Sequence, residues 1–184
     1  MLLEFLKHPK HTGSLYSSSQ ALSQAIVSNI DLQNANYIAE IGPGLGAFTQ
    51  KILNLKSKES HYFTIEINPH FVKKLQEKFP HIEVEHKNAN RILSIMRNKD
   101  IQHLDVIVSG IPWSLLKSKE QDLLLKNIHQ ALKKGGSFST FAYVFPTPKA
   151  LSFKKKLRKY FSHVKTSPII WNNLPPAFVY YCKK

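Results

Sequence analysis

Tyr37-Ile38-Ala39-Glu40-Ile41-Gly42-Pro43-Gly44-Leu45-Gly46-Ala47-Phe48 is an apolar run, three glycines at alternate positions, and the start of a helical pattern. That order predicts a strand, a tight turn and a helix N-terminus, the local structure at which nucleotide-like ligands bind. Glycine suits such a turn because it tolerates positive φ and, lacking Cβ, lets ligand atoms reach the backbone. A second signal comes 20 residues after Gly46, where the run His61-Tyr62-Phe63-Thr64-Ile65 ends on Glu66. A carboxylate between Ile65 and Ile67 in a central strand is costly without a partner. At the tip of the second strand it is placed to accept hydrogen bonds from two ribose hydroxyls.

The spacing Glu40-x-Gly42-x-Gly44-x-Gly46 departs from the G-x-G-x-x-G of dinucleotide folds. It resembles motif I of the class I S-adenosylmethionine (SAM) methyltransferases. The resemblance implies that Glu40 sits near the methionine moiety, that Gly42, Gly44 and Gly46 admit the cofactor, and that Glu66 holds its ribose. It also puts Ile67, Asn88, Ala89 and Ser109 among the cofactor contacts, Asn88 standing where many such enzymes carry an Asp near the adenine.

At 184 residues the chain suits one domain with a real core. The reading is a single domain over 1–184, in which a helical segment at 1–30 covers the site. No apolar stretch approaches the roughly 20 residues that span a bilayer, and residues 1–7 lack the apolar core of a signal peptide. The lone Cys182 has no partner for an internal disulfide and reads as a packing residue. These features point to a cytoplasmic protein.

Charge is lopsided. Lys and Arg number 26 against 12 Asp and Glu, a net +14, and no acidic residue follows Asp122. Such a field favours a polyanion or an anionic membrane surface. Within the basic third, residues 149–165 read as an amphipathic helix in which Phe153, Leu157 and Phe161 recur at i, i+4 and i+8 among lysines. Its cationic face is either an ordinary solvated surface or a contact for lipid phosphates. The nine histidines and the single cysteine give no ligand spacing, so no metal is expected.

Helices are predicted at 17–29, 47–55, 69–79, 92–97 and 118–134, with Asn68-Pro69 opening the third, Ser118-Lys119-Glu120-Gln121 forming a capping box, and Gly135-Gly136 stopping the last. Strands are predicted at 37–41, 61–67, 81–86, 104–109, 138–145, 164–171 and 178–182. Alternation of this kind implies parallel strands with crossover helices. The fold class is α/β, and the resemblance makes it a Rossmann-like class I methyltransferase with a seven-stranded, mostly parallel sheet and helices on both faces.

Asp105-Val106-Ile107-Val108-Ser109-Gly110-Ile111-Pro112-Trp113 ends the fourth strand at the carboxyl edge, where the methyl acceptor belongs. Ribosomal RNA adenine dimethyltransferases carry Asn or Asp, then x-Pro-aromatic, here, and that polar side chain holds the amine of the base. This chain has Gly110 instead. It resembles the bacterial phospholipid N-methyltransferases more fully: in 5–13, in Glu40-Ile41-Gly42-Pro43-Gly44, in Val108-Ser109-Gly110-Ile111-Pro112 and in Asn173-Leu174-Pro175-Pro176-Ala177.

That resemblance implies SAM-dependent methylation of the phosphatidylethanolamine amine towards phosphatidylcholine, at the inner membrane surface, by a peripherally bound cytoplasmic enzyme. The acceptor mouth is then Tyr16, Gly110, Ile111, Pro112, Trp113 and Asn173. Trp113 and Tyr143 offer π faces to a nitrogen that gains charge during transfer, and Trp171 is a further aromatic candidate. Two alternatives stay open, an adenine N-methyltransferase acting on RNA and a non-enzymatic SAM or lipid binding module.

Overall fold

The computed structural model describes residues 18–144 and 148–184, with residues 148–151 described by backbone alone. Tyr16, Phe145 and the 5–13 motif lie outside the described residues. Seven strands form one sheet: β1 (Tyr37–Ile41), β2 (His61–Glu66), β3 (Glu83–His86), β4 (Leu104–Ser109), β5 (Leu132–Tyr143), β6 (His163–Thr166) and β7 (Ala177–Lys183), in the order β3-β2-β1-β4-β5-β7-β6. Pairing is parallel from β3 to β5, and β7 runs antiparallel to both of its neighbours. Six strands therefore point one way, as the alternation predicts. The order reverses at β1/β4, the switch point at which such sheets bind ligands.

The helices are α1 (Gln20–Val27), α2 (Ala47–Leu55), α3 (Pro69–Lys78), α4 (Ile92–Asn98), α5 (Ser118–Ala131) and α6 (Pro148–Tyr160). Two apolar layers sandwich the sheet. Leu22, Ile26, Phe48 and Ile52 of α1 and α2 pack with Val106, Val108, Phe141 and Val179 on one face. Ile92, Leu124, Ile128, Phe153 and Leu157 of α4, α5 and α6 pack with Ile107, Phe138 and Tyr180 on the other. Asn68 caps α3 as its sequence indicates, Oδ1 accepting from the His70 N–H at 2.9 Å with Pro69 in the first turn.

Three sequence expectations change. Gly135-Gly136 does not end α5. The helix stops at Ala131 because Leu132 is already extended and pairs with Leu104, while the glycines lie inside β5 where the β4/β5 register shifts. There a Cβ on Gly136 would stand 2.9 Å from the Lys133 carbonyl. The cap of α5 is Lys117, whose N–H reaches the Glu120 carboxylate at 2.7 Å, and Ser118 is the first helical residue. The strand expected at 164–171 is only four residues long, followed by an isolated bridge from Ile170 to Ala177.

The basic helix forms over Pro148–Tyr160, shorter than the expected 149–165 because His163–Thr166 is already β6, with Phe153 and Leu157 buried on it and Phe161 buried just past its end. Its lysines are not equivalent. Lys156 is held at α5, donating to Asp122 Oδ2 at 2.9 Å and to the Ser118 carbonyl at 2.7 Å, whereas Lys155, Arg158 and Lys159 are exposed.

Candidate functional site

A cavity of about 430 Å³ opens at the carboxyl ends of β1, β2 and β4. Its floor is the motif I turn. Gly42, Gly44 and Gly46 all have positive φ, but they serve different ends. A Cβ at Gly44 would meet nothing within 4 Å, so this glycine leaves open space at the cavity wall. A Cβ at Gly42 would stand 2.8 Å from Ile111 Cγ1, so this one lets the β1 and β4 loops meet. Gly46 faces away, where a Cβ would lie 2.5 Å from the Phe79 ring and 2.9 Å from Leu75. The expectation that Gly46 touches the cofactor is thus corrected: it packs the start of α2 on α3, outside the lining.

Glu66 is buried at the cavity edge. Oε2 accepts from the Gly44 N–H at 3.2 Å and Oε1 from the Asn68 N–H at 2.8 Å, which fixes the carboxylate between the β1 and β2 loops. A carboxylate has about four acceptor positions, so two more bonds remain for a pair of hydroxyls. Ile67, although 62% exposed, lines the same wall, as do Asn88 and Ala89 of the turn after β3. The Asn88 side chain caps that turn by accepting from the Asn90 N–H at 2.9 Å. Across the cavity stand Gly110, Ile111 and Pro112.

Glu40 does not line the cavity. Strand alternation turns it to the α2 side, where Oε2 accepts from Thr49 Oγ1 at 2.7 Å and from the Tyr62 hydroxyl, while Oε1 has no partner. Complete burial raises its pKa to about 7 against a model-compound value of 4.5. The folded state thus holds this proton more tightly than the unfolded chain does. Its contribution to stability is full below about pH 4.5 and is lost as the pH rises through about 7, on the order of 3 kcal/mol in total. Glu40→Gln should remove that part of the slope and leave the variant more stable than the parent at pH 8. Urea titrations of both proteins at pH 5 and pH 8 test this, and parallel pH profiles would refute the assignment.

Four other expected site residues have structural positions. Trp113 is 2% exposed: the turn Trp113–Leu115 folds it under α6, its ring stacks on Phe153 at 4.7 Å and meets Phe138 edge-on, and Nε1 donates to Thr140 Oγ1 at 2.8 Å. With both faces covered it is a core residue, which corrects its reading as an acceptor wall. Tyr143 is half-buried against Phe141 at the end of β5, outside the lining. Ser109 is wholly buried and braces its own turn, Oγ accepting from the Ile111 N–H at 3.3 Å. Asn173 is 5% exposed and is a clamp, with Oδ1 accepting from the Ser19 N–H at 3.0 Å and Nδ2 donating to the Pro175 carbonyl at 2.7 Å.

Sequence reasoning passed over Phe71, Lys87, Leu124 and Glu120, all at the cavity. Lys87 is paired with Glu85 at 2.7 Å. In a chain of net +14 the cavity thus presents the carboxylates Glu66 and Glu120 beside one neutralised ammonium. That balance favours a cationic ligand. Among the described residues no group of His, Cys, Asp and Glu could hold a metal ion.

A sheet reversing at β1/β4, a Cβ-free gap at Gly44, a fixed carboxylate at the β2 tip and a wall suited to a sulfonium fit SAM, and the chain is a SAM-dependent methyltransferase. The sequence pattern of ribosomal RNA adenine dimethylase matches residues 6–110, and the chain belongs to that family. It is 28% identical to ornithine lipid N-methyltransferase of Singulisphaera acidiphila over 183 residues, covering 98% of this chain and 92% of that one. Ribosomal RNA small subunit methyltransferase A of Thermotoga petrophila is 26% identical over 110 residues, which cover 60% of this chain and 40% of the other. The chain therefore matches less than half the length of that relative. A solved SAM-dependent methyltransferase from Archaeoglobus fulgidus shares the fold with a TM-score of 0.67 at 15% identity, covering 98% of this chain and 99% of that one.

Proposed function

We propose that the chain methylates the amine of a membrane lipid head group, phosphatidylethanolamine towards phosphatidylcholine, at the inner face of a membrane to which it binds peripherally. The observation that carries this reading is Gly110. An adenine enzyme needs a side-chain acceptor here for the amine of the base, and a Cβ at this position would lie 2.4 Å from the Gly42 carbonyl oxygen. The backbone of one loop fills the place where that side chain would start. An amine left without its acceptor loses roughly 1 to 3 kcal/mol of binding. The likeness to a lipid N-methyltransferase over nearly the whole of both chains supports the same choice.

Bound SAM would supply an electrophilic methyl on a sulfonium and leave as the neutral thioether, and the remaining demands are alignment, an amine that has first given its proton to solvent, and a site that tolerates charge on nitrogen. Gly44 gives the cofactor room, Glu66 holds its ribose, and Ile67, Asn88 and Ala89 flank its adenine. Gly110, Ile111 and Pro112 bound the acceptor side with an apolar wall that suits the nitrogen better as each methyl replaces an N–H. Glu120 adds negative charge to the same cavity. No helix of the described residues is long and apolar enough to cross a membrane. Contact with lipid on this reading is made from the surface, with Lys155, Arg158 and Lys159 facing anionic head groups.

Methyl-labelled SAM given with phosphatidylethanolamine in mixed micelles, with ornithine lipid in mixed micelles, and with unmodified ribosomal RNA decides the acceptor. Label should enter phosphatidylethanolamine. Label in ornithine lipid alone would keep the lipid amine and change the head group, and label in RNA alone would replace this reading by the adenine one.

A further inference from the structure

The loop 167–176 between β6 and β7 is unusual for what it leaves in solvent. Six large apolar side chains are exposed among the described residues, and three of them, Ile169, Trp171 and Leu174, fall within six positions of this loop. Trp171 is 67% and Leu174 76% exposed. Looseness does not account for this, because the loop backbone is tied at several points. The Ile170 N–H donates to the Ala177 carbonyl at 2.7 Å, the Ser167 N–H to the Val179 carbonyl at 2.9 Å, and Ser167 Oγ accepts from the Val179 N–H at 3.0 Å. Buried Asn173 closes the turn on the Pro175 carbonyl. The loop is built to hold apolar side chains outward.

Its position relates it to the cavity. Thr166 of β6 and Thr140 of β5 pair with the same residue, Tyr180, while Ile170 and Tyr143 both pair with Ala177. Residues 171–176 therefore extend past the carboxyl end of β5, at the same edge of the sheet as the one at which the cavity opens. Asn173 links the loop to the cavity wall through one residue, since it accepts from Ser19, the neighbour of cavity-lining Ser18. The chain that carries the loop is basic: Lys165 is exposed two residues before it, and no acidic residue occurs between positions 123 and 184.

We propose that loop 167–176 is the tip by which the enzyme enters a bilayer carrying anionic lipid, placing Ile169, Trp171 and Leu174 among the acyl chains beside the mouth of the cavity. This rests on the lipid reading above and names the element that brings the head-group amine to the site. Apolar side chains on a basic stretch of chain suit a bilayer, whose interior takes the former and whose anionic head groups attract the latter. An indole is well matched to the boundary between the two.

The sequence makes the test direct, because it holds two tryptophans, Trp113 and Trp171, and Trp113 is buried. The full chain is mixed with vesicles of phosphatidylglycerol and phosphatidylcholine brominated on its acyl chains, and tryptophan emission is recorded. Emission should shift to the blue and be quenched, and Trp171→Phe should abolish the vesicle-dependent change. The double variant Trp171→Ser/Leu174→Ser, which alters exposed side chains only, should keep its fold and bind vesicles at least about tenfold more weakly.

Three results would overturn the proposal. One is failure of the protein to sediment with these vesicles, or sedimentation without quenching. Another is a dimer in vesicle-free velocity sedimentation that the double variant disperses, which would make a second copy the occupant. The third is an emission from Trp171 already shielded from acrylamide in the free monomer, which would make another part of the same chain its cover. None of these measurements needs an amine lipid. The double variant should bind SAM as the parent does, and because the vesicle tests contain no amine lipid, failure of the tip and failure of the head-group reading are distinguished.

Discussion

Gly44→Asp should fold and lose at least about 100-fold in affinity for SAM, about 2.7 kcal/mol. Gly44 sits at φ +55°, a conformation that Asp adopts more readily than most residues, and a Cβ there meets no protein atom within 4 Å. The new side chain therefore costs the empty protein only the strain of a left-handed backbone, about 1 kcal/mol. It is costly for the complex, because it enters the space that the cofactor takes and sets a second carboxylate beside Glu66, whose Oε2 is 3.2 Å from the Gly44 nitrogen. Calorimetric titration with SAM, alongside thermal unfolding to confirm the fold, measures this. An unchanged affinity in a folded variant would remove the motif I turn from the site. Gly46→Ala is the contrasting case, since its Cβ meets Phe79 and Leu75 and the damage falls on stability.

The other large effect is at Trp113. Trp113→Ala should cost about 3 to 5 kcal/mol of stability, a large share of the 5 to 15 kcal/mol typical of a domain. The substitution empties the volume between Phe153 and Phe138 and removes the donor to Thr140 Oγ1. It leaves the cavity walls in place, so SAM affinity in the cold should stay near that of the parent. An unfolding free energy from urea titration within about 0.5 kcal/mol of the parent's would show that Trp113 is not a core residue.

This contrast marks what was legible in the sequence. The glycine turn and Glu66 were readable because strand ends and turn chemistry are local, and the parallel sheet followed from alternation of the elements. Trp113 was misread because its surroundings come from α6, some 40 positions along the chain, and nothing beside it announces Phe153 as its stacking partner. Glu40 was misread by one step of strand alternation, which sent its carboxylate to Thr49 and Tyr62. Asn173 looked like an acceptor contact, and its bond to Ser19 across 154 positions has no sequence signature. Glu120 was noticed only as a cap, the role it fills for Lys117, and its place at the cavity depends on how α5 is laid across the sheet.

The contact between Gly110 and Gly42 bears on how such an enzyme changes its acceptor over time. The two glycines sit on the loops after β4 and β1, so the segment that on the proposed reading bounds the acceptor and the segment that would hold the cofactor are wedged against each other. A single substitution that gives position 110 a polar side chain must push the Gly42 carbonyl away, and with it the turn on which SAM rests. On the lipid reading proposed above, a route to a base-methylating enzyme would therefore begin with a loss of the existing activity and need a compensating shift of the first loop. The mutational distance between the two chemistries is at least two coupled steps, although one side chain distinguishes them on paper.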